Sequence, residues 1–281
     1  MKSRYVLQDL ARGAPAVGGD VFAATPSLVS VRTTLTLSSS GMPRGTKQSL
    51  IFCVATQAFP PALLDRAVWK GLPAEADCLQ VVVNNETITL HGGYAVIVAC
   101  ALYGHRRSPK LWQAWFTKRV KAFKHQQSLV DPTVFWSSTG LRLVVYVDDI
   151  ILVGEPEECE RVVPYLCGQM KMREVGRLAA EGDSGKFVGR DITHVAGGYA
   201  MRGSDRLVEQ LLRRSDVSSG HTVVTTVARN SPKELANSQE LEAAEATVVG
   251  LIMHLAHDRV DIHFAAKKAA RCMAHPCECD W

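Results

Sequence analysis

With 281 residues, 47% of them apolar and 21% charged, the chain has the composition of a folded protein, which excludes a disordered or collagen-like one. Its net charge of +4, from 32 basic and 28 acidic residues, is too small to signal a nucleic-acid partner by itself, so the distribution of charge carries the information. No apolar stretch approaches the roughly 20 residues of a membrane span, and Met1-Lys2-Ser3-Arg4 leads into no signal-like segment; an intracellular chain with no membrane partner is expected.

Taken in chain order, the first strong signal lies between Glu86 and Asp131, where no acidic residue occurs. Arg106, Arg107, Lys110, Lys118, Arg119, Lys121 and Lys124 supply seven positive charges there, a stripe suited to phosphates. Leu111, Trp112, Trp115, Phe116, Val120 and Phe123 follow helical spacing within the same segment, which leaves most of the basic side chains on other faces. Ser108 and Pro109 suit the N-cap and N1 positions of that helix, and the two tryptophans read as core.

Next come two aliphatic runs, Leu141–Val147 and Ile150–Val153, around the adjacent acids Asp148 and Asp149. The pattern predicts a β-hairpin with both carboxylates at its tip. Two carboxylates held between buried strands repel each other and resist desolvation, so a fold gains little from them unless a cation sits there. Magnesium prefers such oxygen-rich sites. Helical spacing resumes from about Glu157 to Lys171, with Val162, Val163, Leu166 and Met170 inward and Pro164 tolerated only near the first turn. Two more amphipathic helices are expected through Leu207, Val208, Leu211 and Leu212, and through Val248, Val249, Ile252 and Leu255. The eight cysteines include no C-x-x-C pair, which argues against a disulfide framework or a common zinc motif. His275, Cys277 and Cys279 lack the second pair of ligands that a closed zinc site needs.

Tyr146-Val147-Asp148-Asp149 resembles the YxDD box of reverse transcriptases, and Val145 to Gly154 is similar to the version carried by copia-type retrotransposons. The resemblance extends in order. Ala101–Trp112 (ALYGHRRSPKLW) is similar to that family's ALYGLKQSPRxW, Asp131–Phe135 to DPSLF, Lys171–Gly176 to KMKDLG, Lys186–Ile192 (KFVGRDI) to YFLGIEI, and Val249–Ile262 to LVGSLLYLAxTRPDI with Val260 in place of the proline. Residues 2–9 and 20–27 look like the opening KxRLVARG and ETFSPVAK segments, so nearly the whole chain is covered.

The resemblance implies an α+β, right-hand polymerase fold: fingers and palm over residues 1–197, then a thumb-like helical region over 198–281 that ends before a ribonuclease H region. It implies RNA-directed DNA polymerisation on an RNA or DNA primer-template with deoxynucleoside triphosphates. Two magnesium ions would be held by three carboxylates and would stabilise the charge on attacking and leaving oxygens. Asp148 and Asp149 match two of the three. Phe59 matches the aromatic that screens the ribose, with Tyr146 also near the nucleotide. Tyr103, Gly104, Arg106, Arg107, Ser108 and Lys110 match a segment that approaches nucleotide or template, and Lys171 one near the triphosphate.

The third carboxylate is missing. In Ile51–Phe59, the pair Ala58-Phe59 fixes the register against the family's D-V-x-x-A-F, and counting back five positions reaches Val54. Sliding by one gives Cys53 or Ala55, neither an oxygen ligand, and Asp65 lies eleven residues beyond Val54. A polymerase-derived chain with little or no polymerase activity and a weakened magnesium site is therefore expected. The alternatives are an active enzyme, a nucleic-acid-binding protein without catalysis, and a transposon remnant without a selected role.

Overall fold

Residues 50–55 and 150–153 carry apolar side chains with almost no alternation, and such runs are stable where both faces of a strand are covered. In the computed structural model, which describes residues 21–40, 48–72, 77–83, 86–93, 95–203, 205–214 and 244–272, the runs form β1 (Ser49–Ala55) and β9 (Asp149–Gly154). They are central neighbours in a six-stranded sheet ordered β10 (Met172–Leu178), β1, β9, β8 (Arg142–Tyr146), β7 (Val134–Ser137) and β6 (His125–Gln127), antiparallel throughout. The segments noted above at 2–9, Asp20 and 275–279 lie outside the described residues.

Ile51, Cys53, Leu143, Val145, Ile150 and Leu152 alternate onto one face of the sheet. There they pack into one buried cluster with Trp112, Phe116 and Val120 of α2 (Ser108–Ala122) and Val162 and Leu166 of α3 (Pro156–Gln169). Burying each such aliphatic side chain stabilises the fold by about 1.5–3 kcal/mol. Strand alternation sends Arg142, Val144 and Val153 to the opposite face, where α1 (Leu28–Ser40) lies against β8 and β9 and the Arg142 guanidinium donates to Ser38 Oγ at 3.4 Å.

Among the described residues the remaining strands form smaller sheets. β2 (Leu63–Gly71) pairs with β5 (Ala95–Cys100), and β3 (Leu79–Val83) with β4 (Glu86–Leu90). β11 (Ser184–Phe187), β12 (Arg190–Val195) and β13 (Gly198–Arg202) form a three-stranded sheet. Helices α4 (Asp205–Arg214), α5 (Ala244–Ala256) and α6 (His263–Cys272) follow. The architecture is mixed α and β, with antiparallel sheets and six helices among the described residues.

Three local expectations are corrected. Ser108 is not the N-cap of α2: Arg107 caps it, and Ser108 is fully buried, its hydroxyl donating to the Leu102 carbonyl at 2.7 Å. Pro109 still falls in the first turn, where its missing N–H leaves no bond unmade. Pro164 lies deep inside α3, because the helix starts at Pro156; the buried side chains of Cys159, Val162 and Leu166 around it outweigh the lost backbone bond. A strand, β13, opens the region from 198 expected to be helical and runs as far as Arg202, because Gly197, at φ +81°, turns the chain back into a hairpin.

The described chain divides into two compact units, one within Met1–Gly185 plus His194–Tyr199, the other within Lys186–Thr193 plus Ala200–Trp281. The first contains the six-stranded sheet and helices α1 to α3. The second contains α4, α5 and α6, and in it Arg190 and Asp258 form a buried ion pair at 3.2 Å, their side chains 6% and 8% exposed. Among the described residues no helix is long and apolar enough to cross a membrane.

Candidate functional site

The β8–β9 hairpin closes through Val147 and Asp148, between the paired residues Tyr146 and Asp149. Val147 has φ +50°, a region that a β-branched side chain rarely enters and that strains the turn. Two neighbours hold it in place. Trp112 Nε1 donates to the Val147 carbonyl at 3.2 Å, and the Ala55 N–H donates to the Asp148 carbonyl at 2.8 Å. The turn is therefore fixed from one side by α2 and from the other by β1.

The Tyr103 hydroxyl donates toward both oxygens of the Asp148 carboxylate, at 3.0 and 3.1 Å. Gly104, at φ +88°, supplies the left-handed backbone that brings Tyr103 to this position. The Tyr103 ring also packs against Phe59 with centroids 4.6 Å apart. Phe59 is only 6% exposed, so the aromatic expected to meet a ribose is covered, chiefly within the core cluster.

Val54 is the direct cross-strand partner of Asp149 on one side and of Arg173 on the other. Directly paired residues point to the same face with Cα atoms about 5 Å apart. The half-buried position 54 thus adjoins the acid pair, at the place where a third carboxylate would complete a cluster, and it offers only methyl groups. Tyr146, the other partner of Asp149, shares that face. Lys171 is exposed beside the same end of the sheet, its carbonyl accepting from the Thr56 N–H at 2.7 Å.

Arg106 and Arg107 immediately precede α2 and Lys110 lies in its first turn, two to six residues before Trp112, the residue bonded to the hairpin. All three are half-buried, whereas Lys118, Lys121 and Lys124 further along are exposed and Arg119 lies over the Trp115 ring at 4.1 Å. Of the expected site residues, Asp148, Asp149, Tyr103, Gly104, Tyr146 and Val54 converge on the hairpin. Ser108 does not: its hydroxyl is committed to the loop that carries Tyr103.

Two features have no signal in the residue spacing. The first is the Tyr103–Asp148 bond. The second is a cavity of about 420 Å³ between α2 and the strap 21–25, lined chiefly by Phe22, Phe59, Trp112, Phe116, Phe135 and Val145, where the Ala24 N–H donates to Gln113 Oε1 at 3.1 Å.

Burial, and then the negative charge of Asp148, raise the Asp149 carboxyl above the ordinary aspartate range. A raised folded-state value means that folding is favoured below the unfolded value and that this advantage is lost as pH rises through the folded one. Asp149→Asn is therefore expected to raise the thermal midpoint near neutral pH, by less than about 1 kcal/mol of stability because the group is only half-buried and screened. The gain should vanish below the ordinary aspartate range, as melting curves across the acidic range would test.

No family profile matches the chain, and no solved structure matches it. The chain is 24% identical over 184 residues to the Retrovirus-related Pol polyprotein from transposon RE1 of Arabidopsis thaliana, across 63% of this chain and 12% of that protein. It is 22% identical over 187 residues to the corresponding polyprotein from transposon RE2 of the same plant, across 64% of this chain and 12% of the relative. The matches thus span about an eighth of the curated relatives' length, and they support a retrotransposon Pol region.

Proposed function

We propose that the chain is the reverse-transcriptase region of a copia-type retrotransposon Pol protein, with fingers and palm followed by a thumb-like helical region, and that it holds primer-template without extending it. The observation that carries this reading is the pairing of Val54 with Asp149, beside Asp148, at the tip of a buried hairpin. The order of motifs along the chain and the similarity to Pol polyproteins support the polymerase ancestry; the methyl groups at position 54 support the loss of chemistry.

The side chains at the tip do not fit a pair of magnesium ions. Two adjacent carboxylates are present, one of them bonded to the Tyr103 hydroxyl, and the third oxygen donor is replaced by an aliphatic group. Such a set would hold one ion weakly, since magnesium demands near-octahedral oxygen coordination and gives up its water reluctantly. The residues retained in full are those that hold the hairpin and present positive charge beside it. The unmodified chain is accordingly expected to give no extension of a primer on an RNA template with magnesium or manganese; templated extension would overturn the proposal.

Binding should survive and should depend on salt. Each phosphate neutralised contributes about 0.7–0.9 to the slope of log affinity against log salt. Replacing Arg106, Arg107 and Lys110 together by alanine should lower that slope by about 2 to 3, while lysine at positions 106 and 107 should preserve it. Titration of a labelled primer-template at several salt concentrations checks this, and a slope indifferent to all three changes would remove the basic segment from the interface.

A further inference from the structure

We propose that the open end of the β3–β4 hairpin is a zinc site formed by Asp77, Cys78 and His91. This site is independent of the polymerase reading and lies in another sheet. β3 and β4 pair from Val83 opposite Glu86 to Leu79 opposite Leu90. The residues just before β3 and just after β4 are thereby brought side by side, although 13 positions separate Cys78 from His91 in the sequence.

Asp77 Oδ1 lies 3.1 Å from His91 Nδ1 and also accepts from the Gly92 N–H at 3.3 Å. Cys78, at φ +60°, departs from the extended conformation in which adjacent side chains point to opposite sides. One ligand atom from each of the three residues lies within 4.8 Å of the other two. With zinc–ligand bonds of about 2.0–2.3 Å, donors in a tetrahedral site sit roughly 3.3–3.8 Å apart. The carboxylate and imidazole are already close to that spacing, and the thiol needs only a small approach.

The donor types decide the ion. One carboxylate, one thiolate and one imidazole suit zinc and other borderline divalent metals, whereas magnesium avoids sulfur. Asp77 and Cys78 are exposed, so water can complete the fourth position. The consequence is structural: a two-stranded hairpin is marginal by itself, and a metal bound only by the folded arrangement adds its binding free energy to folding.

The test is titration of the metal-stripped full chain with cobalt(II), followed by displacement with zinc. A thiolate-to-cobalt charge-transfer band with one-to-one stoichiometry is expected, and it should be absent in Cys78→Ser. Affinity should fall at least tenfold in His91→Ala and in Asp77→Asn, because losing even an outer partner of a ligand costs about that much. On the unmodified chain, zinc should protect Cys78 from alkylation, read residue by residue by mass spectrometry. Absence of that protection overturns the proposal whether or not the variants fold, as does a cobalt band that persists undiminished in Cys78→Ser, which would place the metal on other cysteines.

Discussion

Val54→Asp is expected to convert a chain that leaves a primer untouched into one that extends it, with a gain of about a hundredfold or more over the unmodified background. The scale follows from what one preorganised electrostatic contact is worth in a catalytic site. The register supports this expectation: position 54 pairs with Asp149, and the Ala55 N–H is already bonded to the Asp148 carbonyl. An aspartate there joins the existing pair without any movement of β1. Arg173, the partner on the other side, offsets part of the added negative charge. In the absence of metal, three neighbouring carboxylates repel, so the variant should melt earlier than the unmodified chain, and added manganese should reverse the difference. Terbium luminescence, which reads metal occupancy without turnover, should show tighter binding in Val54→Asp and the loss of that gain when Asp148→Asn is added. Tighter metal binding without extension would place a second lesion outside the carboxylates, with the buried Phe59 the first position to examine.

The central sheet was legible because its strands are unusually apolar. Ile150 to Val153 alternates with nothing and can only be buried, and the acids before it mark the turn. The amphipathic spacing of α2 was equally plain through Trp112, Phe116 and Val120. What escaped sequence reasoning depends on contacts between distant residues. Nothing near Tyr103 indicates that its hydroxyl meets a carboxylate 45 positions later, and nothing near Ala24 indicates that it closes a cavity against Gln113. Ser108 has the residue type of an N-cap, but the Leu102 carbonyl competes for its hydroxyl and burial decides the outcome. Pro164 breaks a local rule, and the packing of its neighbours on α3 overrides it. The departure at position 54 was visible through the resemblance alone; only the sheet register shows that it adjoins Asp149.

Asp258→Ala is expected to destabilise the second unit by about 3–5 kcal/mol, because it leaves the Arg190 guanidinium buried without its counter-charge. Arg190 Nε and Nη2 both lie 3.2 Å from Asp258 Oδ2, and Nη1 donates to the Val188 carbonyl at 3.0 Å. His254 Nε2 lies 3.5 Å from Nη2. Burial, and then the Arg190 charge, hold that imidazole below its ordinary value; an imidazole is either neutral or cationic, so His254 offers Arg190 no counter-charge. Removing either partner alone leaves the other charge buried and uncompensated. Replacing both residues with leucine should therefore restore most of the stability that Asp258→Ala loses, since buried ion pairs are often no better than apolar packing of similar volume. Hydrogen exchange at the amides of α5 and α6, compared across Asp258→Leu, Arg190→Leu and the double leucine variant, reads that coupling directly. If the two single changes simply add in the double variant, the pair does not act as a unit.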